Sequence, residues 1–236
     1  MDSAGVTSWS GEGLSSAYSV HHSLVDATSA VELQALASRQ SFDMRPDSVD
    51  AQPAHELYIF RDGVTALAEL HAKMKPMLAR FTSLANQRMP VCQSASTHCR
   101  PCTSLIRRYR PGERRAHYEH IDGHAAVTVV VSLSPQALYT GGLFVSNLSS
   151  RILLPLQRGD AVMHASDLFH GVDVRSGERW SWVVWYRTCS RCTLEGSTSW
   201  YRQRAEVRSL ESSRRSIVKP PQHAPSVTES LVLYDP

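Results

Sequence analysis

Arg114-Arg115-Ala116-His117-Tyr118-Glu119-His120-Ile121-Asp122 is the stretch from which the rest of the chain is read. It ends in His120-x-Asp122; His170 follows fifty residues later and Arg179 nine after that. Two imidazoles and one carboxylate can fill one face of an octahedral metal ion and leave three positions open. A His-x-Asp pair arises often by chance, so the surrounding sequence decides what it means.

Outward from that stretch the period is strand-like. After Pro90, short alternating segments are separated by Pro, Gly or polar breaks: 103–109, 114–120, 125–133, 142–146, 151–156, 160–164, 168–174 and 179–187. Eight short strands with no room for a helix between them read as a sandwich or barrel. Strand alternation also assigns faces. It places Tyr118, His120 and Asp122 on one side, with His117 and Glu119 on the other. It likewise groups Arg179, Ser181, Val183 and Trp185.

Before Pro90 the pattern is helical. Leu24, Ala27, Ala30, Val31, Leu33 and Leu36 predict a helix over 23–37. Val64, Leu67, Leu70, Met74, Met77, Leu78 and Phe81 recur at three- and four-residue intervals and predict a second, read as core packing. Tyr58-Ile59-Phe60 reads as a short strand, 41–53 as a linker and 1–23 as flexible. Beyond Arg187 alternation stops; 197–207 reads as a short helix and the rest as disordered tail. The expected organisation is a flexible N-terminal region with a helix (1–57), a helical buttress (58–99), a β domain (100–188) and a C-terminal extension (189–236).

Composition narrows the function classes. With 42% hydrophobic and 20% charged residues the chain has ordinary globular usage. A net charge of +3 gives no general attraction to nucleic acid. The run Arg107, Arg108, Arg110, Arg114 and Arg115 has few interleaved aromatics and reads as a solvated face, so no nucleic-acid partner is expected. No apolar run reaches the roughly 18 residues of a membrane span. The start of the chain lacks the basic and apolar regions of a signal peptide. Five cysteines are too few and too odd for a disulfide scaffold, and the expected setting is reducing and cytoplasmic.

The motifs then fall into an ordered series. Leu105-Ile106-Arg107-Arg108-Tyr109-Arg110-Pro111-Gly112-Glu113 precedes His120-x-Asp122, followed by Thr128-Val129-Val130-Val131-Ser132-Leu133 and Gly141-Gly142-Leu143-Phe144. Gly159-Asp160-Ala161, His170-Gly171 and Gly177-Glu178-Arg179-Trp180-Ser181 complete it. Over residues 100–188 the series resembles the Fe(II)- and 2-oxoglutarate-dependent dioxygenases, in their prolyl 4-hydroxylase-like branch. The resemblance implies a mainly β fold with flanking helices, a double-stranded β-helix or jelly roll. It implies that His120, Asp122 and His170 bind Fe(II) and that Arg179, with Ser181, holds the distal carboxylate of 2-oxoglutarate. Tyr109 takes the place of a family tyrosine near the cosubstrate, and Tyr118 lines the pocket by alternation. The reaction implied is oxidative decarboxylation to succinate and CO2 with O2, supported by ascorbate and coupled to hydroxylation of a peptidyl proline or similar C–H site. The substrate is then a peptide, a protein or a small molecule. Related halogenases have a small apolar residue in place of the carboxylate, so Asp122 favours hydroxylation. Ser132 stands where many prolyl hydroxylases have a tyrosine-containing segment.

Some residues admit other readings. His117 and His124 flank the motif, and a zinc site built from another histidine set is an alternative that alternation counts against. His164 and His98 read as ordinary polar histidines. In the resembled fold the first and last strands are neighbours. Cys99-x-x-Cys102 and Cys189-x-x-Cys192 could therefore converge on a structural zinc, remain unpaired thiols or form disulfides. Because fold does not give activity, the alternative to an enzyme is a non-catalytic jelly-roll metal-binding or interaction module.

Overall fold

Val127-Thr128-Val129-Val130-Val131-Ser132 is buried at every position, as a run of β-branched residues must be when a sheet is covered on both faces. In the computed structural model, which describes residues 6–7, 17–47, 49–94, 97–146, 150–188 and 192, it lies within a large antiparallel sheet. Cys189 and the helix expected at 197–207 fall outside the described residues.

The strands are β1 (Val6–Thr7), β2 (Tyr18–His21), β3 (His55–Arg61), β4 (Val64–Thr65), β5 (Arg100–Tyr109), β6 (Ala116–His120), β7 (Val127–Ser132), β8 (Tyr139–Ser146), β9 (Arg151–Leu153), β10 (Ala161–Ala165), β11 (Phe169–Gly177) and β12 (Arg179–Arg187). The large sheet runs β1-β2-β10-β7-β12-β5-β3-β4 and the small one β6-β11-β8-β9. All eight segments read as strands after Pro90 are strands. Period-two alternation divides the large sheet into two faces. Val127, Val129, Val131, Met163, Trp180, Trp182, Val184 and Tyr186 pack with the helices. Leu105, Tyr109, Val130, Val162 and Val183 pack with Leu143, Val145, Val172 and Val174 of the small sheet. The two sheets form the jelly roll, and its interior is the functional face.

Helix α1 (Ala27–Ser38) begins at Asp26, whose side chain accepts the Ser29 N–H at 2.8 Å. It buries Ala30, Leu33 and Ala37 while Val31 is exposed, so its inward stripe is narrower than the sequence suggests. Helix α2 (Ala68–Arg88) buries Leu70, Met74, Leu78, Phe81 and Ala85, the predicted stripe extended by one turn. Val64 is not part of it: β4 forms a hairpin with β3 and leaves Val64 exposed.

Several expectations change. The sheet does not begin at residue 100, because β2 and β3 join it from upstream. Strand β2 pairs Tyr18–His21 with His164–Ala161 and buries Val20 and His21. Four residues are too few to show a period, and their partner lies about 140 residues away. The cysteines form disulfides, Cys92–Cys99 and Cys102–Cys192, which excludes a zinc site using Cys99, Cys102 and Cys192. Residues three apart on extended backbone point to opposite faces; Cys99 turns to the end of α2 and Cys102 to Cys192. Two disulfides also run against a reducing compartment. No helix among the described residues is long and apolar enough to cross a membrane. Finally, the arginine run is not a solvated face. Arg107 pairs with Asp47 and Glu56, Arg108 and Arg110 with Glu113, and Arg114 with Asp50. Arg115 donates to the Val174 and Gly177 carbonyls. Asp47 and Asp50 come from the stretch read as a linker, which therefore pairs with the barrel wall.

Candidate metal centre and anion pocket

His120 and His170 are direct partners across β6 and β11, with ring centroids 4.4 Å apart. Asp122 lies just past the end of β6, its N–H donating to Ser166 O at 3.1 Å and its carbonyl accepting from Ala125 N–H at 2.8 Å. That turn brings its carboxylate back under the two rings. Oδ1 is 3.7 Å from His120 Nε2 and Oδ2 is 3.6 Å from His170 Nε2. One donor atom from each of the three lies within 4.8 Å of the others.

The hydrogen bonds orient these donors for a metal. His120 Nδ1 donates to Tyr118 O at 2.7 Å and His170 Nδ1 to Leu168 O at 3.0 Å. Carbonyls only accept, so each Nδ1 carries a proton, and Nε2 is the ring nitrogen left to bind a metal. Burial, reinforced by His170, pushes His120 down to about 3. Burial alone would raise the Asp122 carboxyl, but His170 and His120 outweigh it and hold it well below the usual carboxylate range. The site thus offers two imidazole Nε2 atoms facing one buried, ionised carboxylate.

Arg179 is fully buried on the interior face of β12. Its Nη1 donates to Ser181 Oγ at 3.2 Å, and its guanidinium carbon lies 5.8 Å from the Tyr109 ring centre. Nε and Nη2 have no hydrogen-bond partner, and among the described residues no carboxylate pairs with it. A buried, unpaired cation costs several kcal/mol by rough estimate. An anion with two oxygens would satisfy both free nitrogens. Arg179, Ser181, Tyr109, His120, Asp122 and His170 all line one pocket, so anion and metal positions share a cavity.

Tyr118 does not line this pocket. It is 61% exposed, while His117 is buried, lines the cavity and sets its ring edge-on to His120 at 4.3 Å. The cause is a bulge: His170 pairs with His120 but Val172 pairs with His117, so three steps on β6 oppose two on β11. An extra residue inverts alternation beyond it. His164, read as an ordinary polar histidine, is part of the site's surroundings. It is buried, with Nε2 4.0 Å from Asp122 Oδ2, and burial and then His170 push it down to about 4. His98 is exposed. Ser132 is buried and donates to Ser134 O.

Two residues at the carboxylate carried no sequence signal of that role. Thr128 Oγ1 donates to Asp122 Oδ2 at 2.6 Å and Trp185 Nε1 donates to the same atom at 3.1 Å. Alternation places Trp185 on the face of Arg179 and Ser181, and all three line the pocket.

No family model matches the sequence, and no curated protein does. Solved structures do match in fold. An oxidoreductase of the 2OG-Fe(II) oxygenase family from Burkholderia pseudomallei is 16% identical, with a TM-score of 0.59 over 74% of this chain and 87% of that one. A prolyl-4-hydroxylase from Pseudomonas putida is 17% identical, with a TM-score of 0.52 over 74% and 94%. The epimerase SnoN, solved with Fe3+, alpha ketoglutarate and nogalamycin RO, is 16% identical, with a TM-score of 0.53 over 72% and 78%. The chain therefore has the jelly-roll fold of the 2OG-Fe(II) oxygenase structures. Those neighbours include enzymes of different reactions.

Proposed function

We propose that the protein is an Fe(II)- and 2-oxoglutarate-dependent dioxygenase that hydroxylates an unactivated C–H bond, with a peptidyl proline as the first substrate to test. The observation that carries this reading is Arg179: a buried guanidinium with two unpartnered nitrogens in the same cavity as His120, Asp122 and His170. A metal triad alone would suit many proteins. A triad facing an orphaned cation suits a ligand with an anionic group at one end and metal-binding oxygens at the other, as 2-oxoglutarate has.

In this reading His120 Nε2, Asp122 and His170 Nε2 hold Fe(II). Bound there, Fe(II) would supply the oxidation chemistry, with O2 as oxidant and ascorbate keeping the metal reduced. Arg179 would pair with the distal carboxylate, Ser181 would donate beside it, and Tyr109 would wall the chamber. The buried jelly-roll interior excludes water from these contacts and so strengthens them. Asp122 occupies the position a halide would need, which favours hydroxylation. His117 and Arg107 line the remaining wall and would meet the substrate.

The experiment is mass spectrometry across a panel of proline-containing peptides and small molecules, with and without enzyme. A product heavier by one oxygen, formed only with 2-oxoglutarate and lost in His120→Ala, supports the reading. A product that forms without 2-oxoglutarate argues against it.

A further inference from the structure

We propose that Thr128 and Trp185 are positioning residues that turn one oxygen of Asp122 into the sheet and leave the other for the metal. The proposal rests on His120, Asp122 and His170 being the ligands.

Thr128 is the register partner of His164 on one side and of Trp185 on the other. The three form one row across β10, β7 and β12. The Asp122 carboxylate sits on this row rather than on its own strand: Thr128 Oγ1 at 2.6 Å and Trp185 Nε1 at 3.1 Å both donate to Oδ2. Oδ1 faces His120 Nε2 at 3.7 Å and has neither donor, whereas Oδ2, 3.6 Å from His170 Nε2, is held by both. Two donors on one oxygen occupy its lone-pair directions, so it is a poor second ligand. Asp122 then presents a single oxygen, and three coordination positions stay open for a two-oxygen cosubstrate and O2. A carboxylate freed from these donors could turn and chelate, taking up one of those positions.

Neither donor is free to swing away. Thr128 is a fully buried β-branched residue with few rotamers. The Trp185 ring meets the His124 ring edge-on at 4.5 Å. Trp185 also shares β12 with Arg179 and Ser181, so one strand carries both the anion clamp and the seat of the metal-binding carboxylate. Partners that orient a ligand affect metal affinity by about 10- to 100-fold.

The test is equilibrium dialysis of Co(II) against the full-length protein, with the visible spectrum of bound Co(II) as a second readout. The proteins are wild type, Thr128→Val, Thr128→Ser, Trp185→Phe, the Thr128→Val/Trp185→Phe pair and His120→Ala. Thr128→Val and Trp185→Phe should each weaken binding by about 10-fold and alter the Co(II) absorption, with the pair weaker than either. Thr128→Ser, which keeps the hydroxyl, should restore both readouts. If Thr128→Val does not fold, Trp185→Phe, which keeps the ring and loses only the N–H, decides alone. Wild-type affinity and spectrum in these variants, with binding lost in His120→Ala, would overturn the positioning role and leave the ligand assignment standing. No Co(II) binding by wild type, or full binding by His120→Ala, would overturn the ligand assignment and this proposal together.

Discussion

His117 and His120 stand on the same side of β6, ring against ring at 4.3 Å, although they are three positions apart on the strand. Strict alternation would put them on opposite faces. The bulge between the His170 and Val172 pairings makes the difference and turns Tyr118 outward. Tyr118→Ala should therefore leave 2-oxoglutarate affinity unchanged and stability within about 0.5 kcal/mol. His117→Ala, which empties a buried position on the cavity wall, should lower the urea midpoint by the equivalent of about 1–3 kcal/mol. Equal effects of the two substitutions would contradict the bulged register.

Arg179 carries a charge without a partner inside the barrel, and its removal should separate binding from stability. Arg179→Met should abolish 2-oxoglutarate binding while leaving the ligand-free protein at least as stable as wild type, because an uncompensated buried cation is replaced by an apolar chain. Thermal melts check both halves. For wild type with bound metal, 2-oxoglutarate at about 100 times its dissociation constant should add about 2.7 kcal/mol; for the variant it should add nothing.

The disulfides close loops of different size, with sequence separations of 7 and 90 residues. Loop-closure entropy assigns roughly 2 kcal/mol to Cys92–Cys99 and roughly 4–5 kcal/mol to Cys102–Cys192. Cys102→Ser should lower the urea midpoint more than Cys92→Ser, and dithiothreitol should reproduce the combined loss.

Buried histidines away from the metal centre set a pH dependence. Burial, then Arg88 and Arg80, lowers His21; burial also lowers His55, against the opposing pull of Glu113. In the unfolded chain each titrates near 6.5. Between that value and the lower folded one, only the unfolded state is protonated. Stability is therefore full above about 6.5 and falls as pH drops, by up to about 1.4 kcal/mol per pH unit for each histidine. Urea denaturation of the metal-free protein from pH 7.5 down to 5.5 (a range of about two units around that value) should show this decline. His21→Gln should make it shallower.

Much of the barrel was legible because its strands are long enough to show period two, and because β12 carries Arg179, Ser181 and Trp185 on one face without interruption. What the sequence hid has particular causes. β2 is too short for a period and is held by a distant partner. The β6 bulge depends on the register against β11, a tertiary fact. The acids that neutralise Arg107 and Arg114, Asp47 and Asp50, come from a segment with no regular pattern. Thr128 and Trp185 meet Asp122 only because β7, β12 and the turn after β6 converge, and Cys102 finds Cys192 because β5 and β12 are neighbours.

The most direct test of the central claim is the conversion of 2-oxoglutarate to succinate by the purified protein with Fe(II), O2 and ascorbate, measured without added substrate. Wild type should produce succinate slowly, and His120→Ala and Arg179→Ala should produce none, the first through the metal and the second through the cosubstrate. Folded, Fe(II)-loaded wild type that neither binds 2-oxoglutarate nor releases succinate would contradict the account.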